Sequence, residues 1–177
     1  MSVLISFSGL PGVGKTTVAR ALAQEISAVY VRVDSIEEAL KNSSLQIHPV
    51  EDAGYLAAVA VAKDNLTHGL DVVADTVNPI GVTRNWWAKA AVSSNARLLN
   101  VEIICSDHTE HKRRIENRQS DIAGLDLPDW NSVQGREYEE WSEARVVLDS
   151  SKMSAKACVK RIVEAIEVLK RGASNDG

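Results

Sequence analysis

Nine residues near the N-terminus, Gly9 to Thr17, have the types and the spacing that bind phosphate. Their sequence, GLPGVGKTT, matches the pattern G-x-x-x-x-G-K-S/T at every fixed position. Glycines let the backbone curl until several N–H groups point at one anion, and a following helix adds its positive dipole end. Lys15 would then reach the β- and γ-phosphates, and the Thr16 hydroxyl would coordinate Mg²⁺. We expect ATP and Mg²⁺ at this loop, held by Gly9, Pro11, Gly12, Val13, Gly14, Lys15, Thr16 and Thr17.

Two aspartates lie where strands predicted from apolar runs end. Asp75 closes the run DVVAD, and Asp34 ends the valine-rich run AVYVRVD. Carboxyl ends of parallel strands meet at one edge of a sheet, where ligands of open α/β sheets bind. We therefore expect Asp75 to join Thr16 at the metal, and Asp34 to orient or deprotonate an acceptor hydroxyl during catalysis. The simpler alternatives are that Asp75 caps the next turn and that Asp34 caps the helix after Ser35.

Three arginines, Arg113, Arg114 and Arg118, lie on a predicted helix just before a segment with no clear period. Arg114 and Arg118 are four residues apart and share a helix face. Two guanidinium groups beside a loop suit a lid that closes over phosphates or packs on adenine. We expect both to contact the nucleotide and to assist catalysis. The alternative is a solvated basic face that pairs with Glu110 and Glu116.

Short apolar runs alternate with helical patterns along the chain, and this alternation predicts a parallel sheet covered on both faces. The predicted strands are 3–8, 28–33, 71–75, 98–105 and 145–148. The predicted helices are 15–27, 35–41, 49–67, 82–93, 107–118, 131–141 and 154–169, with a loop or broken helix at 119–130. The fold class is therefore α/β, a three-layer αβα sandwich with five parallel strands. We expect one domain over residues 1–170, with a lid at about 114–141 and a polar tail at 171–177.

Composition excludes several classes of protein. The chain has 177 residues, 45% of them hydrophobic and 25% charged, which is typical of a soluble globular domain. The net charge of −4 gives no general attraction to nucleic acid or to anionic membranes, so neither is an expected partner. We find no signal-peptide pattern and no apolar stretch long enough to cross a bilayer. We expect a cytoplasmic monomer or homodimer whose two cysteines, Cys105 and Cys158, are buried and reduced.

With these features assembled, the sequence resembles the small P-loop kinases of the nucleoside-kinase-like group. More narrowly, it is similar to the AAA-33, zeta-toxin-like and polynucleotide-kinase-like ATPases, from FSGLPGVGKTT through VRVDSIEEAL, VVADTVNP, HKRRIENR and LPDWNSVQGREYEEW to RVVLDSS. The resemblance implies ATP-dependent phosphoryl transfer to a hydroxyl. It implies Asp34 as the acceptor-side acid, Asp75 as a Walker B-like acid, and Arg114 and Arg118 as lid arginines. Many relatives carry an arginine shortly after the acid of the second strand, whereas Asp34 is followed by Ser35, Ile36, Glu37 and Glu38.

The identity of the acceptor stays open at this stage. Glu37 and Glu38 disfavour a polynucleotide, whose phosphates they would meet, so we expect a small molecule. It would lie in a cleft beside the predicted metal acid, near His48, Glu51, Asp52, Tyr55, Thr76, Asn78 and Arg84. Two alternatives remain: a polynucleotide 5′-hydroxyl or nucleotide kinase, and a nucleotide-dependent switch that hydrolyses ATP slowly.

Overall fold

A parallel sheet of five strands lies at the centre of the computed structural model, which describes residues 1–172. The sheet order is β2-β3-β1-β4-β5, and every neighbouring pair is parallel. The predicted five-stranded sheet is confirmed, and each strand lies within two residues of its predicted bounds. The strands are β1 Val3–Ser8, β2 Val29–Arg32, β3 Val72–Asp75, β4 Arg97–Ile104 and β5 Val146–Asp149.

Helices cover both faces of the sheet, as the αβα prediction requires. On one face, α1 Lys15–Glu25 and α7 Ala155–Arg171 pack together against β1 and β4. On the other face lie α2 Val33–Lys41, α3 Ala53–Thr67 and α4 Gly81–Ser93. Two further helices, α5 His108–Asn117 and α6 Trp130–Gln134, follow β4. Residues 173–177 of the predicted tail lie outside the described residues.

The central strand divides its side chains between two hydrophobic cores. Val3, Ile5 and Phe7 pack with α1 and α7, whereas Leu4 packs with α3 and α4. This division follows from the alternation of side chains along a strand. Because both faces of β1 are covered, the whole run is buried, including its two serines, Ser6 and Ser8. The two cores hold the carboxyl ends of the strands at one edge of the sheet, where the site lies.

The predicted helix over residues 131–141 is wrong. Helix α6 ends at Gln134, and the chain that follows is held in an extended path by Arg84. This guanidinium donates to the carbonyl oxygens of Glu139 at 2.7 Å and Glu140 at 3.1 Å, and it stacks over the Trp141 ring with its carbon 4.1 Å from the ring centroid. The chain after Gln134 therefore makes tertiary contacts that the local pattern does not predict. The lining of the cleft at the phosphate loop does not include Arg84, whose guanidinium is engaged by main-chain carbonyls.

Asn78 is a buried structural residue and not the predicted acceptor contact. Its amide nitrogen donates to Ser6 Oγ and to the Phe7 carbonyl, both at 2.9 Å, and its amide oxygen accepts from Trp87 Nε1 at 3.0 Å. These bonds join the end of β1 to the chain after β3 and to α4. A fully buried amide with three satisfied bonds stabilises the junction beneath the phosphate loop.

Replacing Asn78 with alanine is expected to lower the free energy of unfolding by about 3 kcal/mol. The substitution leaves three buried polar groups without a partner, and such groups are costly. Urea unfolding followed by tryptophan fluorescence measures the effect. The matched control is Asn95→Ala, because Asn95 has a similar positive φ of 51° but is exposed. Equal losses for the two variants would show that backbone strain, and not the buried bonds, carries the effect.

No helix within residues 1–172 is both long enough and apolar enough to cross a membrane.

Candidate active site

The predicted phosphate loop connects the end of β1 to the start of α1. Gly9 and Gly12 have positive φ angles of 130° and 80°. A Cβ atom at Gly9 would lie 2.2 Å from the Ile103 carbonyl oxygen, and one at Gly12 would lie 2.4 Å from Ile115 Cδ1, so both positions require glycine. The N-cap of α1 is Gly14, which provides no side-chain hydrogen bond to the first turn. The N–H groups there thus remain available to an anion, which fits the phosphates of ATP.

Lys15 is the cation of this loop. Its side chain folds over the loop and donates from Nζ to the Leu10 carbonyl at 3.0 Å, and the residue is only 8% exposed. Burial lowers the pKa of Lys15 to about 8, against the opposing charges of Asp75 and Asp34. A buried ammonium group with one neutral acceptor gains strongly from a polyphosphate placed beside it.

The lowered pKa makes nucleotide binding depend on pH. Lys15 is charged below about pH 8 and neutral above it in the free protein, whereas bound phosphates would hold it charged to higher pH. The Kd for ATP·Mg²⁺ is therefore expected to rise about 10- to 30-fold between pH 7.5 and 9.5. Isothermal titration calorimetry measures it. Lys15→Arg is the control, since its charge persists and its profile should be flat. A flat profile for the unmodified protein would contradict this assignment.

Asp75 lies at the carboxyl end of β3 and is 4% exposed. It accepts a hydrogen bond from the Tyr30 hydroxyl at 2.6 Å, and Arg32 Nε lies 3.9 Å from the same carboxylate oxygen. Burial and the Asp75 charge raise the pKa of Tyr30, which keeps its proton on the hydroxyl as a donor. Tyr30 therefore fixes the orientation of the carboxylate, a role that the sequence did not suggest.

A hydroxyl and a carboxylate, Thr16 and Asp75, line one cleft and form the donor set expected for Mg²⁺. Within the described residues no group of three or more His, Cys, Asp or Glu side chains could hold a metal ion by itself. This agrees with Mg²⁺ chemistry, because Mg²⁺ in nucleotide sites uses few protein ligands and takes its remaining ligands from phosphates and water. The residues present fit a magnesium–nucleotide complex better than an independent metal site.

Asp34 belongs to a helix and not to the end of a strand. Strand β2 ends at Arg32 and α2 begins at Val33 with no intervening turn, so Asp34 lies in the first turn of α2. The N-cap residue is Arg32, and the alternative role of Asp34 as the cap is therefore wrong. Asp34 and Glu37, one turn apart, both line the cleft that holds Lys15. Asp34 therefore lies in the cleft beside the phosphate loop, as predicted, although it belongs to a helix and not to a strand.

The two predicted lid arginines also line this cleft. Arg114 donates from Nη1 to Ser150 Oγ at 2.8 Å, and Ser150 Oγ donates to the Val13 carbonyl at 2.7 Å. Arg118 lies just past the end of α5 and does not share a helix face with Arg114, since its backbone is extended. Burial lowers the pKa of Arg118, while the charge of Asp34 opposes the shift.

Arg113 behaves differently from the other two arginines. It is exposed and pairs with Glu110 through Nε and Nη2 at 2.7 and 2.8 Å. The alternative of a solvated basic face is thus correct for Arg113. Glu110 also accepts from Arg114 Nε at 2.8 Å. These bonds lower the pKa of Glu110 to about 2.

A cleft of about 1040 Å³ runs from the phosphate loop to α2. Residues 119–129, which we call the 119–129 segment, pass across it between α5 and α6. Thr76 also lines the cleft and donates to the Tyr55 hydroxyl at 2.7 Å. Three predicted acceptor contacts lie elsewhere on the exposed surface, and the cleft lining does not include them: His48, Glu51 and Asp52.

Sequence reasoning missed His111, which supports the phosphate loop. Its Nε2 lies 2.8 Å from the Pro11 carbonyl oxygen, to which it donates, and its ring meets the Trp130 ring edge-on at 5.3 Å. The residue is 4% exposed. No local pattern connects positions that are 100 residues apart. The same holds for Arg136, which lines the cleft from the chain just after α6.

The sheet order together with the phosphate loop defines the P-loop class of α/β nucleotide-binding folds. The profile of the AAA_33 family, an AAA domain, matches residues 4–131, so the chain belongs to this family. No protein of curated function matches the chain by sequence.

Solved structures share the fold over almost the whole chain. A putative kinase from Chloroflexus aurantiacus matches with a TM-score of 0.73 and 16% identity, covering 94% of this chain and 97% of its own. The Mycobacterium tuberculosis APS kinase CysC, solved with AMPPNP and APS, matches at 0.69 and 16% identity, covering 94% and 98%. Chaetomium thermophilum Kti12, solved with ADP-AlF3, matches at 0.67 and 22% identity, covering 92% and 98%.

Proposed function

We propose that this protein is a kinase that transfers the γ-phosphate of ATP·Mg²⁺ to a hydroxyl group of a small molecule. The observation that carries the proposal is the position of Asp34. A carboxylate in the first turn of α2 lines the same cleft as the buried lysine of the phosphate loop and the buried carboxylate of Asp75. Its negative charge favours the charged forms of both Lys15 and Arg118, against the lowering of each pKa by burial, which supports a role for Asp34 beside both groups.

Each residue then has a distinct task. Lys15 and the loop N–H groups bind and orient the β- and γ-phosphates. Thr16 and Asp75 would hold Mg²⁺, which neutralises developing negative charge on the phosphates. Asp34 orients the acceptor hydroxyl and accepts its proton as the oxygen attacks the γ-phosphorus, while the bond from that phosphorus to the bridging oxygen breaks and ADP leaves. Arg114 and Arg118, which line the same cleft, stabilise charge on the transferred group.

Solved structures of similar fold support the proposal that this protein is a phosphotransferase. An APS kinase and a gluconokinase from Sinorhizobium meliloti match with TM-scores of 0.69 and 0.62, and each covers at least 94% of this chain. Both are kinases of small molecules by name. At 16% and 19% identity these proteins do not identify the acceptor.

The experiment that tests this function is ATP consumption with Mg²⁺ against a panel of hydroxyl compounds. The panel holds sugars, sugar acids, nucleosides, aminoglycosides, chloramphenicol-type antibiotics and 5′-hydroxyl oligonucleotides. We expect one class of small molecule to stimulate turnover at least 100-fold, and the product to carry the γ-phosphate by mass spectrometry. Stimulation by oligonucleotides alone would favour a polynucleotide kinase. Tight ATP binding with slow turnover that no acceptor changes would favour a nucleotide-dependent switch.

A further inference from the structure

Two arginines from different elements converge on one carboxylate at the acceptor end of the cleft. Arg32, the last residue of β2, donates from Nη1 to both oxygens of Asp121, at 2.9 and 3.1 Å. Arg20, from α1, donates from Nη2 to Asp121 Oδ2. All three residues line the cleft. The pair of guanidinium groups therefore forms a place for one small anion with two or more oxygens.

Arg32 needs such an anion because it is buried. Its side chain is only 10% exposed, compared with 47% for Arg20. Its Nε atom is buried and has no hydrogen-bond partner among residues 1–172, and the nearest acidic oxygen, of Asp75, is 3.9 Å away. Asp75 already accepts from Tyr30 and acts on Lys15. A desolvated guanidinium is costly unless it is paired and hydrogen-bonded.

The carboxylate now in this place is replaceable, whereas the arginines are fixed. Asp121 lies in the 119–129 segment, outside any helix or strand, and its side chain is 46% exposed. The two arginines lower the pKa of Asp121 to about 2, which shows how strongly their position favours negative charge. Arg32 and Arg20 belong to the sheet and to a core helix, so their backbone is held independently of the segment.

We propose that Arg20 and Arg32 form the subsite for an anionic group on the acceptor, a carboxylate or a phosphate ester, and that Asp121 occupies this subsite until the acceptor enters. The proposal rests on the proposed kinase function, because it assigns part of the acceptor to this cleft. Arg32 and Asp34 line the same cleft, so an acceptor held by its charge at Arg32 would have its hydroxyl in the cleft of the proposed base. The acceptor is thus an anionic hydroxy compound of small size.

The test measures anion binding directly, with no turnover. The protein is first saturated with AMP-PNP and Mg²⁺ so that the phosphate loop is filled. Inorganic phosphate and acetate are then titrated separately at constant ionic strength, by calorimetry. Asp121→Asn removes the internal competitor, and we expect it to bind one of these anions about 10-fold more tightly than the unmodified protein. The better anion identifies whether the subsite is built for phosphate or for carboxylate.

Two further variants make the result decisive. Asp126→Asn is the matched control, because it removes another acid of the same segment and cleft that makes no ion pair with either arginine within the described residues. It should bind both anions as the unmodified protein does. Arg20→Gln added to Asp121→Asn should lose at least 10-fold in affinity, and the half-exposed position of Arg20 leaves the fold intact.

The subsite is overturned if Asp121→Asn and Asp126→Asn bind the anions equally, or if Arg20→Gln has no effect. Absence of binding in every variant would also overturn it. None of these outcomes involves ATP consumption, so the kinase function is judged separately by the acceptor panel.

Discussion

Asp34→Asn is expected to reduce phosphoryl transfer about 1000-fold while the Kd for ATP·Mg²⁺ stays within twofold. General-base and orienting groups contribute on this scale. The substitution keeps the shape of the side chain and its place in the first turn of α2, but an amide cannot accept the proton of the acceptor hydroxyl. Single-turnover transfer to the acceptor, together with calorimetric binding of AMP-PNP, separates the two quantities.

Glu37→Gln is the matched control for this prediction. Glu37 lies one turn further along α2 and lines the same cleft. Glu37→Gln removes the same charge as Asp34→Asn, but we expect this variant to retain transfer within about tenfold. Equal losses in the two variants would show that the charge of the cleft matters more than the position of Asp34. A defect in nucleotide binding in Asp34→Asn would contradict its assignment to the acceptor side. Unchanged turnover would favour the switch.

Lys15→Met is expected to abolish transfer, with a loss of at least 100- to 1000-fold in kcat and weaker nucleotide binding. The buried ammonium provides charge where charge develops on the transferred group, and single preorganised groups of this kind have effects of that size. Methionine keeps an unbranched side chain that is one atom shorter and carries no charge. Turnover and ATP binding, measured for both forms at pH 7, check the prediction.

The stability of Lys15→Met distinguishes loss of function from loss of fold. Burial opposes the charge on Lys15, so removing the charge should leave the Tm unchanged or raise it. Lys152→Met is the control, since Lys152 is an exposed lysine at the same edge of the sheet, near Asp149. It should be fully active. If Lys15→Met lowers the Tm so far that the protein is unfolded at the assay temperature, the loss of transfer would reflect loss of fold and would not support a catalytic role for Lys15.

The parts of the molecule that could be predicted are those where function or burial constrains neighbouring residues in the chain. The phosphate loop is a local motif, and each of its glycines, Gly9, Gly12 and Gly14, has a positive φ angle that glycine adopts without strain. The strands are predictable because burial on both faces leaves an apolar run between turns, as in β1. Asp75 follows from these two facts, since it ends the strand beside β1.

The errors arise where distant residues decide the local structure. The helix predicted over 131–141 ends at Gln134, and the chain that follows instead contacts Arg84, about 55 residues earlier, through its carbonyl groups. The role of His111 depends on a carbonyl of the phosphate loop, and that of Asn78 on the end of β1. A polar residue beside a motif looks the same in the sequence whether it contacts a ligand or a buried main-chain group. Only the three-dimensional contacts separate the two cases.

Arg84 has a consequence for large-scale mutagenesis of this chain. Its guanidinium is saturated by main-chain carbonyls and by the Trp141 ring, so nearly every substitution there will deplete the folded protein. In a selection scored only by growth or activity, Arg84 and Lys15 would both appear intolerant and would be grouped as one functional site. An abundance score from the same variant library separates them, because Lys15 variants persist in the cell and Arg84 variants do not. A catalytic site inferred only from intolerance to substitution would therefore wrongly include residues, such as Arg84, that stabilise the fold.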